Sequence, residues 1–281
     1  MSHGKRPEHT APPELYYNEK EAQKYTSNSH IIEIQTKLSE RALELLALPE
    51  DQPALLLDLG CGSGLSGEVL SENGHMWVGI DISEAMLDVA QERECEGDLL
   101  LGDIGTYLPF RSGAFDGAVS ISAVQWLFNS ETSSQNPLKR IRTFFSSLYA
   151  CLSRGARAVL QCYPESSQQL DLLQTEAVRA GFTGGIVVDF PNSTRAKKYF
   201  LVLDVGVART VPSALTGKAN PNTIAVIERD RLHDLREART NRKCPKKSAA
   251  WIRQKKELAR RRMKDVAHDS KYTGRKRRPR F

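Results

Sequence analysis

Residues 18–204 of this 281-residue chain predict an α/β fold: a seven-stranded, mostly parallel sheet with an antiparallel last strand and helices on both faces. Three observations carry the prediction. Apolar runs of strand length alternate with segments of helical periodicity, which implies parallel strands joined by helical crossovers. The run Leu55-Leu56-Leu57-Asp58-Leu59-Gly60-Cys61-Gly62-Ser63-Gly64 reads as an apolar strand ending in a carboxylate, then a Gly-x-Gly-x-Gly turn that opens a helix. Finally, the last two apolar runs are separated only by residues 191–197, too few for a helical crossover, so that pair lies antiparallel.

Taken in order, residues 1–17 are polar and Pro-rich and read as a flexible arm. From Asn18 to Leu48, apolar residues from Ile31 to Leu46 recur near 3.6-residue spacing and predict one helix, stopped by Pro49. Strands follow at Ala54–Leu59, Met76–Asp81, Asp98–Gly102, Asp116–Ser122, Ala156–Tyr163, Gly185–Phe190 and Lys198–Asp204. The helices between them are Gly64–Asn73, one capped by Ser83 and running to Glu94, Pro137–Leu152 and Glu165–Ala180. Residues 205–230 carry little pattern and read as a linker; residues 231–281 read as a basic, largely disordered tail.

Composition narrows the class. The chain holds no run near the 18 or so apolar residues of a membrane span, and its N-terminus lacks a signal-peptide apolar core. Five cysteines without a Cys-x-x-Cys pair argue against a disulfide framework and against zinc, and predict a reducing compartment. The net charge of +6 conceals an asymmetry: residues 1–230 carry 20 Lys/Arg against 29 Asp/Glu, and residues 231–281 carry 20 against 5. An acidic body with a basic tail calls for a polyanionic partner, foremost nucleic acid.

The glycine run and Asp81, which ends the second strand, point to an adenosine-containing cofactor, the carboxylate being placed for the two ribose hydroxyls. A dinucleotide site needs Gly-x-Gly-x-x-Gly, but Leu65 stands at the third position, and no Gly-Lys-Ser/Thr is present for a triphosphate. The bland readings stay beside these. Asp58 could be a buried acceptor for loop amides, Asp103 a loop carboxylate, Tyr25 a core aromatic and Trp126 a packing residue under the next helix. At the end of the fourth strand, Ser122, Gln125, Trp126 and Phe128 offer an aromatic platform with polar neighbours. That set suits an acceptor atom with a free lone pair, held by stacking and aligned without a general base.

The glycine spacing resembles the first motif of class I S-adenosylmethionine-dependent methyltransferases. Over nearly its full length the chain further resembles the eukaryotic small-subunit (18S) ribosomal RNA guanine-N7 methyltransferases. That match rests on Arg6-Pro7-Glu8-His9, Pro12-Pro13-Glu14-Leu15-Tyr16-Tyr17, Val78-Gly79-Ile80-Asp81-Ile82-Ser83, Glu96-Gly97-Asp98-Leu99-Leu100-Leu101-Gly102-Asp103, Ile121-Ser122-Ala123-Val124-Gln125-Trp126-Leu127 and the ending Tyr272–Phe281. The resemblance implies S-adenosylmethionine contacts from Tyr25, Asp58, Gly60, Cys61, Gly62, Gly64, Asp81, Ile82, Asp103 and Ile104. It implies substrate positioning by Ser122, Gln125 and Trp126, and no metal ligand.

It also implies a nuclear and nucleolar protein, with a cytoplasmic pool allowed, acting in pre-ribosome maturation as a heterodimer with a small zinc-binding methyltransferase activator. An apolar third strand at the sheet edge is where a partner strand would add. Positive charge at the mouth of the site would come from Lys139, Arg140, Lys197, Lys198 or the tail, and Arg275-Lys276-Arg277-Arg278 suits nuclear import. Two other classes stand beside the enzyme reading: a pre-ribosome assembly factor whose binding matters more than its catalysis, and a small-molecule methyltransferase with a localising tail.

Overall fold

The computed structural model describes residues 6–49, 52–129, 136–193, 196–206, 209–210, 212–216, 251–253, 255–256, 260 and 266–269. Two compact units divide the chain, residues 1–217 and 218–281. In the first unit the sheet strands are β1 (Leu55–Leu59), β2 (Met76–Asp81), β3 (Asp98–Leu101), β4 (Phe115–Ile121), β5 (Leu152–Cys162), β6 (Phe182–Asp189) and β7 (Lys198–Val205). Their order is β3-β2-β1-β4-β5-β7-β6. The pairs from β3 through β5 are all parallel, and β7 inserts antiparallel between β5 and β6. The predicted seven-stranded architecture is therefore observed, with β7 as the antiparallel strand.

The helices are α1 (Pro13–Tyr16), α2 (Glu19–Ser27), α3 (Ser29–Leu46), α4 (Leu65–Glu72), α5 (Glu84–Glu92), α6 (Pro137–Cys151) and α7 (Ser167–Ala180). The single helix predicted from 18 to 48 is two. Asn28 leaves the helical region at ψ 106°, and its side chain accepts from the amides of His30 and Ile31, so it ends α2 and caps α3. The N-terminal arm also differs from the flexible segment expected. Pro7–His9 forms a 3-10 turn and Pro13–Tyr16 a short helix, because Pro13 and the tyrosines bury apolar surface against the body.

Each sheet face carries its own core. Leu57, Leu59, Ala118, Ala158 and Leu201 pack with Ile141, Phe144, Phe145 and Leu148 of α6 and Leu173 and Ala177 of α7. On the other face Leu56, Val119, Val159, Phe200 and Val202 meet Leu38, Ala42, Leu45 and Leu46 of α3, Leu70 of α4 and Leu87 of α5. Alternate strand residues thus point to opposite layers, as the two-residue strand period requires. Gly67 lets α4 close onto Trp77: a Cβ there would lie 2.1 Å from the indole.

Ion pairs fasten the β5–β7 end. Arg157, 2% exposed, clamps Asp204 at 2.7 and 3.1 Å and donates to the Leu45 carbonyl. Arg41 of α3 clamps Asp189 at 2.9 and 3.3 Å. At the opposite end β3 pairs only with β2, and Leu101 is 55% exposed.

In the second unit the described residues include Trp251–Arg253 in helical geometry, with the Lys255 ammonium 4.8 Å from the Trp251 ring centre. Asp269 pairs there with Lys256 and Arg260. The linker from 217 to 230 and the basic ending Arg275-Lys276-Arg277-Arg278 lie outside the described residues.

Candidate active site

The C-terminal ends of β1 to β4 open into one cleft. It lies where the strand order reverses about β1, the usual ligand crevice of an open α/β sheet.

The floor is the turn after β1. Gly60, Gly62 and Gly64 all take positive φ, at 75°, 52° and 78°. The Gly60 and Cys61 amides donate to the Ile80 carbonyl at 2.8 and 3.2 Å, fastening the turn to β2. A Cβ at Gly60 would collide with Ala123 at 2.2 Å, so glycine is required on two grounds, conformation and space. Gly60, Cys61, Gly62 and Ser63 line the cleft. Gly64 does not; it caps α4 and backs onto Cys95.

Asp81 closes one side. Its two carboxylate oxygens accept one backbone amide each, from Gly62 at 2.8 Å and from Ser83 at 2.9 Å. Burial pushes its carboxyl above the usual carboxylate range, against the pull of amide hydrogen bonds from Ser83, Gly62 and Ile82. Among the described residues no cation pairs with it. A carboxylate offers about four lone-pair sites, so these amides do not exhaust its capacity to accept from ligand hydroxyls. Asp58 stands behind the floor, fully buried and off the cleft lining. Its Oδ2 accepts from the Ser66 hydroxyl at 2.6 Å and its Oδ1 has no partner. Burial raises its pKa to about 7, although the Ser66 hydrogen bond works the other way.

Asp103 and Ile104 line the far wall with Ile82. The Asp103 carboxylate is held by the Gly105 amide at 2.7 Å and by Arg140 at 2.9 and 3.1 Å. Arg140 also lines the cleft, but this pairing cancels the positive charge the sequence reading assigned to the mouth. Lys198 lies over the Tyr163 ring at 5.1 Å from its centre.

At the end of β4, Ser122 holds a left-handed backbone (φ 58°), unusual for a residue with a side chain. Its hydroxyl donates to Gln161 at 2.8 Å, and its carbonyl accepts from the Gln125 amide at 2.8 Å. Ser122 and Trp126 line the cleft, whereas Gln125 stands behind them with Oε1 unpartnered. Trp126 is 9% exposed and packs on Tyr16 and Tyr17, with ring centres 6.2 and 5.9 Å apart. Tyr17 in turn meets Tyr25 edge-on at 5.9 Å. Burial holds both phenols, Tyr17 and Tyr25, far above their ordinary pKa, so they stay neutral.

The sequence reading assigned no role to Tyr17, Pro13 or Gln35, which also line the cleft. The only available signal was the Pro12–Tyr17 run quoted for the family resemblance. Of the thirteen candidates, Asp58, Gly64 and Gln125 stand one layer back and the other ten surround the cleft.

Two family models match: one described as a methyltransferase domain, over residues 57–160, and one described as a methyltransferase involved in Williams-Beuren syndrome, over residues 203–279. The 18S rRNA (guanine-N(7))-methyltransferase of Mus musculus is 57% identical over 282 residues, spanning 100% of this chain and 99% of the relative. The chain belongs to the 18S rRNA (guanine-N(7))-methyltransferase family. Members from Arabidopsis thaliana and Saccharomyces cerevisiae are 55% and 48% identical, each over 98% of this chain and 99% of the relative.

Solved structures bear on the fold of this family member. A putative S-adenosyl-L-methionine-dependent methyltransferase from Methanococcus maripaludis superposes with TM-score 0.53 at 13% identity, covering 75% of this chain and 100% of its own. Haemonchus contortus phosphoethanolamine N-methyltransferase 2, solved with S-adenosylhomocysteine, gives 0.52 at 17%, covering 67% of this chain and 58% of its own.

Proposed function

We propose that this chain transfers a methyl group from S-adenosylmethionine to N7 of a guanine in 18S ribosomal RNA during small-subunit biogenesis. The observation that carries the reading is the pairing, in one cleft, of an uncompensated carboxylate on a glycine turn with an aromatic wall. Asp81 and Trp126 both line that cleft, and Tyr17 joins them, its ring against Trp126 and its carbonyl accepting from Ser83 beside Asp81.

The residues present fit the cofactor. The glycine turn leaves no Cβ between its backbone and a ligand, and Asp81 keeps lone pairs for the 2′ and 3′ hydroxyls of a ribose. Ile82 and Ile104 supply apolar walls for an adenine, and Asp103, held by Arg140 on the same lining, is the acceptor for its amino group in this reading. Tyr25, Cys61 and Gly62 line the remainder, toward the amino-acid end. Asp58 acts from behind by setting the turn through Ser66 at the start of α4.

When bound, S-adenosylmethionine supplies the sulfonium methyl that is transferred. The protein's work is then alignment and exclusion of water. Trp126, braced edge-on by Tyr17, gives the face on which a base stacks, and Gln125 fixes the strained Ser122 through its carbonyl. Guanine N7 already carries a free lone pair, so a base to remove a proton is unnecessary, and proximity supplies the rate. Because the tyrosines stay neutral, no phenolate competes with the guanine for the methyl group.

The exposed β3 edge supports a heterodimer with a small zinc-binding activator adding a strand beside Leu99–Leu101. Its ribosomal substrate and basic tail support a nuclear and nucleolar location. Incubating the chain plus activator with pre-ribosomal RNA, then mapping N7-methylguanosine by chemical cleavage, tests the reading. Cleavage at one guanine is expected; methyl incorporated at another atom, or none, would overturn it.

A further inference from the structure

An enzyme that methylates N7 must still tell guanine from adenine, because both purines present that atom. Resting on the reading above, we propose that Glu8 recognises the target guanine by accepting hydrogen bonds from its N1–H and 2-amino group.

Placement is the first support. The 3-10 turn Pro7–His9 is fastened to the rim of the sheet at three points. Arg6 donates to the Tyr163 carbonyl at 3.0 Å just beyond β5, His9 pairs with Glu165, and the Asn129 side-chain amide donates to the Glu8 carbonyl. Asn129 directly follows the turn that carries Trp126. Its carbonyl accepts from Arg140 at 3.2 Å, and Arg140 holds Asp103. One chain of hydrogen bonds thus joins Glu8, the aromatic wall and the Asp103 end of the cleft.

The second support is an unmet acceptor. Glu8 Oε2 is shielded from solvent and has no hydrogen-bond partner. Glu8 neighbours Tyr17, whose ring packs against Trp126 and lines the cleft, while Glu8 itself stands off the lining. A carboxylate oxygen withdrawn from water without a donor is costly, and a ligand that brings donors removes the cost.

Chemistry makes the match selective. Guanine's Watson–Crick edge carries two adjacent, parallel N–H donors, N1–H and N2–H, that fit the two oxygens of a carboxylate. Adenine presents a bare N1 lone pair there and no 2-amino group, so the same carboxylate repels it. Since N7 lies across the ring from that edge, a base pinned by Glu8 and stacked on the aromatics turns N7 inward.

The test compares full-length chain in its folded heterodimer with the Glu8→Gln variant, on RNA carrying guanine or inosine at the target. Inosine keeps N7 and N1–H but lacks the 2-amino group. Wild type is expected to prefer guanine by about tenfold or more in kcat/KM, and Glu8→Gln to lose roughly 10- to 100-fold on guanine with little change on inosine. S-adenosylhomocysteine affinity should be unchanged, because Glu8 is off the cleft lining, and the melting temperature of Glu8→Gln should not fall, because a shielded oxygen without a donor loses its charge. Glu8→Ala should give the same collapse of the guanine/inosine ratio. An unaltered ratio in both variants, with wild type still methylating guanine N7, sinks the role of Glu8 alone. Failure of wild type to methylate any guanine N7 overturns the function and this role together.

Discussion

Two sets of buried aspartates stand at opposite ends of one sheet, and they are treated in opposite ways. Asp204 and Asp189, on β7 and β6, are each clamped by an arginine. Burial pushes Asp204 up, but hydrogen bonds and charge from Arg157 and Arg209 outweigh it and hold its carboxyl below the usual range. Asp58 and Asp81, on β1 and β2, meet only hydroxyl and amide donors, and both carboxyls sit above that range. An arginine clamp completes a carboxylate, which then serves the fold. Neutral donors leave charge and lone pairs over, which a ligand can use. The contrast holds between these two sets and is no general sorting rule: Asp103 lines the cleft although Arg140 clamps it, and Asp58 stands behind the lining although only Ser66 meets it.

Breaking the most complete clamp should give the largest effect. Arg157→Met leaves Asp204 buried without its main partner and is expected to cost about 3–5 kcal/mol in urea unfolding. Replacing both residues with apolar ones of similar volume should recover most of the loss. A double variant as unstable as the single would show that the pair itself, and not the orphaned charge, sets the cost.

The open carboxylates predict a stability of opposite sign. Asp58 has a folded pKa of about 7, above its unfolded value, so the native state binds more protons than the unfolded chain between about pH 4 and pH 7. The ligand-free chain should therefore lose stability as pH rises through that window, by at most about 1.4 kcal/mol per pH unit from this group. Asp58→Asn should flatten the slope; an unchanged slope would mean that Asp58 is already ionised at low pH in the folded chain. Asp204 acts in the reverse sense, its contribution being lost only as pH falls below about 4.

Asp81 tests the ligand half of the contrast. Asp81→Asn should weaken S-adenosylmethionine binding about 100-fold by calorimetry, through two charged hydrogen bonds to the ribose. It should leave melting of the ligand-free chain unchanged or slightly raised, because an unneutralised buried charge is removed. A variant that melts early and binds normally would place Asp81 with the structural acids.

Much of this was legible in the sequence, for reasons that can be named. All seven strands were readable because each is an apolar run punctuated by glycine, proline or a capping residue. Misread boundaries fall where local signals compete. The sequence starts the sixth strand at Gly185, yet β6 starts at Phe182: Gly184 holds φ 131° so that the chain can pass the Val202 carbonyl, which a Cβ would meet at 2.1 Å. Asn28 was hidden inside a longer apolar period. The glycine turn and Asp81 were legible because strand, turn and carboxylate are near neighbours in sequence. Arg140 across Asp103, and Tyr17 against Trp126, join residues 37 and 109 positions apart, and no local pattern encodes such a meeting.

The smallest effect should come from the second clamp, because it is only partly closed. Arg41 is 15% exposed as a side chain, and besides Asp189 it donates to the Ser213 carbonyl at 2.9 Å. Asp189 has a further donor in the Leu215 amide at 2.8 Å, so losing the arginine leaves it neither bare nor far from water. Arg41→Ala should thus cost about 1–2 kcal/mol in urea unfolding, less than half the Arg157 effect. The loss should also be local. Residues 213–215 are held against β6 by this cluster, so limited proteolysis should cut there several-fold faster, while S-adenosylmethionine affinity stays as in wild type. A cost equal to that of Arg157→Met would mean that exposure does not grade these clamps, and that arginine pairing alone sets how much each aspartate contributes to the fold.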